Sequence, residues 1–403
     1  MGPLDNTIVL DLSRILAGPF STQMLADLGA TVWKIESPWG DDTRRWGPPF
    51  LEPKEPKDES ESAYYLSANR GKKSIVVNLR DERGQALIRK MAKRADILVE
   101  NFKVGDLVRY GLDYQSLADL NPRLVYASIT GFGQTGPRAT EPGYDAALQG
   151  MTGIMSVTGE PDGPPSKVGG AWIDILTGLT ATIGILSALN ERHTSGKGQH
   201  VDVSLFDVGI SSMANLAQSF LATGEAPGRF GTAHPQIAPY QAFEATDGHF
   251  MVAVGNDDQF RRFCDALGLP KLTTDERFKE NADRVRNRKE LAGLLADVFR
   301  GGTRDHWLDV VSGAGVTVTP VNSLADVFED PQSKARNSLW EVDHPTLGKV
   351  PLLASALQHM SRTPAAAGGH PPLLGEHTRE VLRDALDVSE DEISSLVEAG
   401  VVK

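Results

Sequence analysis

The sequence predicts an α/β protein whose larger domain is built on a doubly wound parallel sheet. Short apolar runs alternate with helical segments through the first half of the chain. The 403 residues also exceed the length at which a single core usually stops growing, which favours two domains. Because parallel strands are joined by crossovers that usually contain a helix, this alternation indicates parallel pairing.

The elements of the larger domain follow in chain order. Strands are predicted at residues 7–11, 31–35, 73–79, 97–100, 124–129 and 200–205. Helices are predicted at 20–28, at 82–94 with Asp81 as the N-cap, at 113–120, and at 175–193. The last helix carries a face of small residues, which indicates close packing against another helix: Gly178, Ala181, Gly184 and Ala188.

A change in composition marks the second domain. Residues 223–239 are rich in Gly, Pro and Thr, which is typical of a crossing between domains. Beyond them we predict strands at 250–254 and 316–320, helices at 259–267, 288–299 and 303–312, and two final helices at 376–386 and 390–399. The predicted division is a large domain of residues 1–225 and 330–403, with an inserted α+β domain of residues 226–329.

Composition and charge argue against several classes of protein. A formal charge of −12 disfavours binding along a nucleic acid backbone, which needs broad positive surface. The single cysteine, Cys264, rules out an internal disulfide or a multi-cysteine metal site, and its apolar neighbours favour core packing. The first 20 residues show no signal peptide, and the longest apolar stretch, 175–189, is short for a membrane span. We therefore expect a soluble cytoplasmic or organelle-matrix protein without a membrane segment.

One motif suggests dinucleotide binding and fails on its surroundings. Gly131-Phe-Gly-Gln-Thr-Gly136 follows a predicted strand and matches the GxGxxG pattern. That pattern binds a pyrophosphate only if a helix begins at the third glycine. Pro137 and Pro142 follow here, so the segment is expected to be a loop and a nicotinamide site is disfavoured.

Seven segments in order carry a family likeness: Leu10-Asp-Leu-Ser-Arg-Ile-Leu-Ala-Gly-Pro19, Val32-Trp-Lys-Ile-Glu36, Asn69-Arg-Gly-Lys-Lys-Ser74, Val99-Glu-Asn-Phe102, Thr130-Gly-Phe-Gly-Gln-Thr-Gly-Pro137, Trp172-Ile-Asp174 and Ser195-Gly-Lys-Gly-Gln199. Through them the chain resembles the class III CoA-transferases, the family that contains formyl-CoA:oxalate and carnitine CoA-transferases and α-methylacyl-CoA racemase. Residues 234–243, 287–291 and 371–377 look closest to the succinyl-CoA:glutarate branch.

The resemblance implies a Rossmann-like large domain, an interlocked homodimer and a reaction through Asp174. It implies a CoA thioester as cosubstrate, a carboxylic acid acceptor, and no tightly bound cofactor or metal. An ordinary Asp, with a pKa near 4, is ionised at neutral pH and can attack a thioester without a general base. From the residues alone, the N-cap of the apolar helix that follows is the better explanation of Asp174, and the resemblance reverses that preference.

The resemblance also implies two groups of binding residues. Gly255 and Asn256 fall where the family has a loop that closes over the anhydride, although a strand-to-helix turn with Asp257 as cap explains them equally well. Arg14 and Arg44 are candidates to receive a substrate carboxylate. Ser37 and Pro142 stand where the family has basic residues, and Arg70, Lys72 and Lys73 are expected to be a solvated charge run. The residues expected to bind CoA are Leu16, Ala17, Val77, Asn78, Leu79, Arg80, Asn101, Phe102, Lys103, Arg109, Tyr144 and Asp145.

Two other functions remain open from the sequence. A racemase of the same family places a His between Gly and Asp as its proton shuttle, and this chain has Gly143-Tyr144-Asp145, whose phenol has an ordinary pKa near 10. A CoA-binding protein without catalysis is the second alternative, and the ionisable Asp174 argues against it. For a transferase, the branch likeness suggests succinyl-CoA as donor and a dicarboxylate such as glutarate as acceptor.

Overall fold

The structure is a computed structural model that describes residues 2–403. The chain packs as two compact units. The first contains residues 2–154, 168–218 and 334–403, and the second contains residues 155–167 and 219–333. The predicted domain boundaries stay a prediction, and they differ from these units most at residues 155–167, a segment rich in Gly and Pro that the predicted division left in the large domain.

The first unit is built on a six-stranded parallel sheet. Its strands are β1 (Ile8–Asp11), β2 (Thr31–Glu36), β3 (Lys72–Val76), β4 (Ile97–Glu100), β5 (Val125–Thr130) and β6 (His200–Ser204). They lie in the order β3-β2-β1-β4-β5-β6, and every neighbouring pair is parallel. The predicted doubly wound sheet is confirmed. The strand order reverses between β1 and β4, and in such sheets ligands bind outside the carboxyl ends at that point.

Helices cover both faces of the sheet and connect its strands. Glu82–Arg94 begins after Asp81, whose carboxylate accepts from the amide of Arg83 as expected. Tyr114–Leu120 likewise begins after Asp113. The other helices up to residue 223 are Ala17–Asp27, Ala63–Leu66, Asp145–Met151, Ile154–Val157, Trp172–Ser195, Leu205–Ser211 and Ala214–Thr223, with short 3-10 turns at Asp42–Arg45 and Val108–Tyr110 and a two-stranded pair of Phe50–Leu51 and Glu61–Ser62.

The helix Trp172–Ser195, here called the long helix, is longer than predicted. It starts three residues before Ile175, so Asp174 lies inside its first turn and the prediction of Asp174 as N-cap is wrong. Gly178 packs against Ala17–Asp27, where an added Cβ would lie 2.8 Å from the carbonyl oxygen of Ala17. By length and composition this helix could also cross a membrane, contrary to the estimate from its shorter apolar stretch. Nine of its residues are buried within the unit.

The second unit is an α+β arrangement with its own aromatic core. Its antiparallel sheet has the order Thr317–Pro320, Gly248–Ala253, Tyr240–Ala245. Phe250, Phe263 and Phe299 are fully buried in its core, and Cys264 packs with them as predicted. The helices that surround this sheet are Asp257–Ala266, Asn281–Arg286, Arg288–Phe299, Arg304–Gly313 and Leu324–Glu329, with a 3-10 turn at Pro270–Thr273.

The last part of the chain returns to the first unit. After the helix Pro331–Ala335, an unpredicted hairpin pairs Leu339–His344 with Gly348–Leu353. The two predicted final helices are present as Thr378–Leu386 and Glu390–Glu398. Val402 then pairs with Val77 in an antiparallel bridge beside the end of β3. The end of the chain therefore supports the loop that follows β3.

Candidate active site

A cavity of about 400 Å³ lies outside the carboxyl ends of the parallel strands, where the strand order reverses. We call it the Asp174 cavity, since the side chain of Asp174 is part of its wall. Its size is within the usual range of ligand sites, about 300–1,000 Å³. Loops after β1, β4, β5 and β6 supply most of the wall. Of the residues expected at the site, it brings together Arg14, Leu16, Ala17, Asn101, Phe102, Lys103, Tyr144, Asp145 and Asp174.

A second cavity, of about 860 Å³, lies along the loops that follow β2 and β3, and we call it the Arg80 cavity. It brings together the remaining residues expected to bind CoA: Val77, Asn78, Leu79, Arg80 and Arg109. Arg14, Asp42, Arg45 and Phe102 line both cavities. All twelve residues expected to contact CoA therefore line one or both of two cavities with shared walls.

Asp174 occupies the first turn of the long helix and is half-buried. No side chain of the adjoining residue caps this helix, because its N-cap residue is Ala171. Asp145 takes that role from another helix: its Oδ1 accepts from the amides of Ile173 at 2.8 Å and Asp174 at 3.3 Å. Its Oδ2 accepts from Nε2 of Gln149 at 2.7 Å. The Asp145 carboxylate therefore fixes the start of the helix that carries Asp174.

The electrostatic surroundings of Asp174 differ from those of an ordinary aspartate. Burial, assisted by the charge of Asp145, raises the pKa of Asp174 to about 7. The pKa of Asp174 therefore lies above the ordinary value near 4 that was expected from the sequence. Asp174 ionises closer to neutral pH than an ordinary aspartate, because its pKa is raised. A carboxyl group with a strongly raised pKa in a cleft is a typical sign of a functional site.

The loop between β1 and the helix Ala17–Asp27 is held in a strained form at the edge of both cavities. Ile15 has a φ of +72°, which is rare for a β-branched residue. Its amide donates to Oδ1 of Asp41 at 3.3 Å. The side chain of Asn101 accepts from the amide of Arg14 at 2.9 Å and donates to its carbonyl at 2.7 Å. These contacts make Asn101 a support of the loop as well as a residue of the cavity wall.

Buried ion pairs lie beneath this loop. Asp11 accepts from Nζ of Lys72 at 3.1 Å, and Asp41 accepts from Nζ of Lys34 at 3.0 Å. All four side chains are buried. Burial alone would raise the pKa of Asp11, but Lys72 and Lys34 outweigh it and hold the pKa below the ordinary value. The site is therefore built on fixed charges that are not themselves exposed to a ligand.

These contacts correct the prediction of a solvated charge run. Lys72 is paired within the first unit, and Arg70 is buried, with Nε 2.8 Å from Oδ1 of Asp27. Only Lys73 is partly exposed, where it pairs with Glu380 at 2.5 Å. The alternation of strand residues explains the difference, because neighbouring positions of β3 face opposite sides of the sheet.

The same test separates the two arginines proposed to receive a carboxylate. Only 10% of the Arg44 side chain is exposed. Its guanidinium donates to both oxygens of Glu36 at 2.7 and 2.8 Å and lies over the ring of Tyr65 at 3.8 Å. The prediction that Arg44 could receive a substrate carboxylate is therefore wrong. Arg14 is half exposed and pairs with Asp42 at 3.1 Å in the wall of the Asp174 cavity.

The glycine motif after β5 forms a loop, as expected. No helix begins until Asp145, and Gly131 instead packs directly on Gly143. A Cβ at Gly131 would lie 2.6 Å from the Cα of Gly143, so glycine is needed for a backbone contact. Pro142 lines the Asp174 cavity and Ser37 the Arg80 cavity.

Gly255 and Asn256 lie in the second unit. The side chain of Asn256 accepts from the amide of Gln259 at 2.8 Å and caps the helix Asp257–Ala266, so Asp257 is not the cap. The amide of Gly255 donates to Oε1 of Gln259 at 2.6 Å. Asp257 instead pairs with Arg284 at 2.6 Å. A role of this turn in closing over a substrate stays a prediction.

Several residues of the site carried no usable signal in the sequence. Arg45 is the last residue of the short turn Asp42–Arg45, and Trp46 follows it. Both residues line the Asp174 cavity. Tyr64 lies near the two acids: burial, followed by the charges of Asp174 and Asp145, raises its pKa to about 12. The buried pair of Lys34 and Asp41 was missed as well. Lys34 lies in β2 and Asp41 in the loop that follows it, so their contact depends on how that loop turns.

Known proteins resemble the chain over nearly its whole length. Residues 4–378 match the family model of CoA-transferase family III. The succinate–glutarate CoA-transferase of Agrobacterium fabrum is 44% identical over 384 residues, which is 95% of this chain and 95% of that protein. The acetyl-CoA:oxalate CoA-transferase of Acetobacter aceti is 46% identical over 340 residues, 84% of this chain and 85% of that protein.

Solved structures agree with this assignment. A CaiB/BaiF family protein from Brucella suis has a TM-score of 0.85 and 47% identity, and the match covers 96% of this chain and 100% of that chain. The parallel sheet, the sequence matches and the structural match point to the same group of proteins. We conclude that this chain belongs to CoA-transferase family III.

Proposed function

We propose that this protein transfers CoA from a donor acyl-CoA to an acceptor carboxylic acid by covalent catalysis at Asp174. The observation that carries the proposal is the placement of one carboxyl group with a raised pKa in the cavity that adjoins the expected CoA residues. A carboxylate suits this reaction because its attack on a thioester gives an anhydride, which keeps the acyl group activated.

The reaction proceeds in four steps that balance without another reactant. A carboxylate oxygen of Asp174 attacks the thioester carbon, and the C–S bond breaks to release CoA as thiolate. The thiolate attacks the carbonyl carbon of Asp174, which forms an aspartyl-CoA thioester and frees the donor acid with one oxygen from Asp174. The acceptor carboxylate displaces the thiolate to form a second anhydride. The thiolate then attacks the acceptor carbon, and Asp174 leaves with one oxygen from the acceptor.

Burial of Asp174 favours the covalent steps. The free carboxylate is charged, whereas the anhydride and the thioester at the same position are neutral, so desolvation penalises only the free form. The raised pKa also makes the ionised oxygen a better nucleophile than an ordinary aspartate. The first effect lowers the free energy of the acylated enzyme relative to the free enzyme, and the second speeds the attack.

The substrates follow from chemistry and from the relatives. Arg80 and Arg109 in the Arg80 cavity suit the phosphates of CoA, since arginine binds phosphate with two parallel hydrogen bonds. The name of the A. fabrum relative, and the branch likeness of the sequence, suggest succinyl-CoA as donor and a dicarboxylate such as glutarate as acceptor.

We also propose that the active form is an interlocked homodimer. The first unit exposes large apolar side chains that a second subunit could cover: Ile183 at 66%, Leu353 at 63% and Ile210 at 44%. Light scattering of the purified protein should give twice the monomer mass of 43.5 kDa.

The decisive experiment is CoA exchange with succinyl-CoA and a panel of acids, using the wild type and Asp174→Ala. We expect the variant to lose at least about a thousandfold in rate, because it lacks the carboxylate that is proposed to take up the acyl group. Asp305→Ala is the matched control: Asp305 is an exposed carboxylate in the first turn of another helix. Wild-type exchange by Asp174→Ala would refute the site.

A second measurement tests the covalent course. During turnover with an acceptor labelled with ¹⁸O in its carboxylate, mass spectrometry should find one labelled oxygen in Asp174. Hydroxylamine should trap an adduct at the same residue after mixing with acyl-CoA. A protein that only binds CoA would give neither product.

A further inference from the structure

We propose that Arg45 recognises the second carboxylate of a dicarboxylic acyl group while the first reacts at Asp174. This inference rests on the proposed function and names the side chain that selects diacids over monoacids. It concerns the last residue of the short turn Asp42–Arg45, which lies in the wall of the Asp174 cavity.

The turn that carries Arg45 is fixed from below. Asp41 accepts from the amide of Thr43 at 3.0 Å and from its hydroxyl at 2.8 Å, and Thr43 is fully buried. Asp41 is in turn held by the buried ammonium of Lys34. Arg44, the neighbour of Arg45, is fully engaged with Glu36. The backbone at Arg45 is therefore rigid, while its side chain, 62% exposed, is free to meet a ligand.

The charges around Arg45 are not balanced. Asp42 pairs with Arg14 at 3.1 Å and with Arg45 at only 3.5 Å, so one carboxylate serves two guanidinium groups. Each guanidinium offers five N–H donors, far more than Asp42 can accept. An exposed pair of this length contributes little by itself. This part of the wall thus keeps a net positive charge and unused donors in a chain whose formal charge is −12.

A diacid is the ligand that matches this arrangement within the Asp174 cavity. Its reacting carboxyl carbon must meet Asp174, and its other end carries a planar carboxylate that an arginine fork binds with two hydrogen bonds. Arg14 is less suited to this task, because its backbone is tied to Asn101 and its side chain already has the shorter bond to Asp42. Arg45 is the freer of the two cations.

A phosphate of CoA is the competing partner, since Arg45 also lines the Arg80 cavity. The two sources of anion predict different kinetics. If Arg45 binds a phosphate of CoA, its replacement weakens the use of every acyl-CoA equally and leaves the binding of the free acids unchanged. If Arg45 instead binds the second carboxylate, its replacement weakens the use of succinyl-CoA and the binding of glutarate, and it leaves acetyl-CoA and valerate unchanged.

The test compares Arg45→Gln with the wild type on two pairs of ligands, each with one member that carries a distal carboxylate and one that lacks it; glutarate and valerate also have the same chain length. Succinyl-CoA and acetyl-CoA are compared as donors by kcat/KM. Glutarate and valerate are compared as competitors for the acceptor by their inhibition constants, which need no turnover. We expect about a tenfold to hundredfold loss for succinyl-CoA and glutarate, and less than about threefold for acetyl-CoA and valerate.

Two further variants sharpen the result. Arg45→Lys keeps the charge and loses the planar guanidinium that binds a carboxylate with two hydrogen bonds. Its kcat/KM for succinyl-CoA and its inhibition constant for glutarate should therefore lie between those of the wild type and Arg45→Gln. Arg80→Gln, a residue of the Arg80 cavity alone, should weaken both acyl-CoA donors and spare both free acids. Equal loss for succinyl-CoA and acetyl-CoA in Arg45→Gln would overturn the inference in favour of a phosphate contact. If the ratio of the inhibition constants of glutarate and valerate is the same in Arg45→Gln as in the wild type, the inference is wrong.

The outcome is separable from that of the proposed function. If Asp174→Ala retains exchange, the proposed function fails whatever Arg45 does. If Asp174 is required and labelled oxygen enters it, but Arg45→Gln leaves diacid preference intact, only the inference about Arg45 fails. Circular dichroism should show the same fold for both Arg45 variants, because this side chain makes its one ion pair, among residues 2–403, with Asp42.

Discussion

Replacement of Asp174 by Asn should stabilise the protein, and the gain should depend on pH. Burial and the charge of Asp145 raise the pKa of Asp174 from 3.8 to about 7, so the folded state disfavours ionisation of this group. The wild type therefore has the full contribution of this carboxyl below about pH 4 and loses it as the pH rises to 7. Asparagine cannot ionise, so the variant does not lose stability in that range.

The magnitude follows from the shift. About three pKa units at 1.36 kcal/mol each give roughly 4 kcal/mol as an upper limit at pH 8. Because the side chain is only half-buried, water and salt reduce this value. We expect Asp174→Asn to be more stable than the wild type by about 2–4 kcal/mol at pH 8 and by less than about 0.5 kcal/mol near pH 4.

The assay is urea unfolding of both proteins at pH 4, 6 and 8, with the difference taken from the transition midpoints. The control is Asp305→Asn, which removes an exposed carboxylate from the first turn of the helix Arg304–Gly313. That change should cost about 0.3–1 kcal/mol at pH 8, because only the interaction with the helix dipole is lost. A stability difference for Asp174→Asn that stays constant from pH 4 to 8 would refute the reasoning.

Three further outcomes are expected. Asp145→Asn removes the like charge beside Asp174, so the pKa seen in the pH profile of kcat/KM should fall below that of the wild type by up to about one unit; an unmoved profile contradicts the role of Asp145. Lys72→Met leaves Asp11 short of a partner and should lower the free energy of unfolding by about 3–5 kcal/mol. Lys73→Met, at a partly exposed position, should lower it by less than about 1 kcal/mol. Equal losses in urea unfolding would contradict a structural role of the buried pair. Gly178→Ala should destabilise the protein by about 1–3 kcal/mol, because its Cβ meets the carbonyl of Ala17. Gly293→Ala, where the space is open, should stabilise it by about 0.5–1 kcal/mol. Thermal unfolding that ranks the two variants in the opposite order would exclude this packing.

The sheet could be predicted because its signal is local. Each strand of the parallel sheet is a short buried run, and buried runs stand out against polar turns in the sequence. The hairpin Leu339–His344 and Gly348–Leu353 was missed for the opposite reason. Half of its residues face solvent, and the sequence around Pro351 reads as a turn. Alternation of buried and exposed residues over six positions is a weaker signal in the sequence than a continuous apolar run.

The site was only partly accessible to sequence reasoning. The residues expected to bind CoA came from the family resemblance rather than from the sequence pattern, and Leu16, Asn101 and Arg80 line the two cavities. Arg44 shows the limit. Its sequence neighbourhood is that of an exposed loop, and only the tertiary structure buries it beside Glu36 and Tyr65. The same holds for the pKa of Asp174, which is raised by burial and by the charge of Asp145, 29 residues away.

The contact of Gly131 with Gly143 has a consequence for the evolution of this fold. The backbones of Gly131 and Gly143 are in contact and hold the two ends of the loop together. We expect residues 132–142 to tolerate change with little effect on the strand before the loop or the helix after it. Ala139, Glu141 and Pro142 lie in that stretch and border the Asp174 cavity. Relatives could therefore exchange this stretch as a cassette and acquire a different cavity entrance, provided that both glycines are kept.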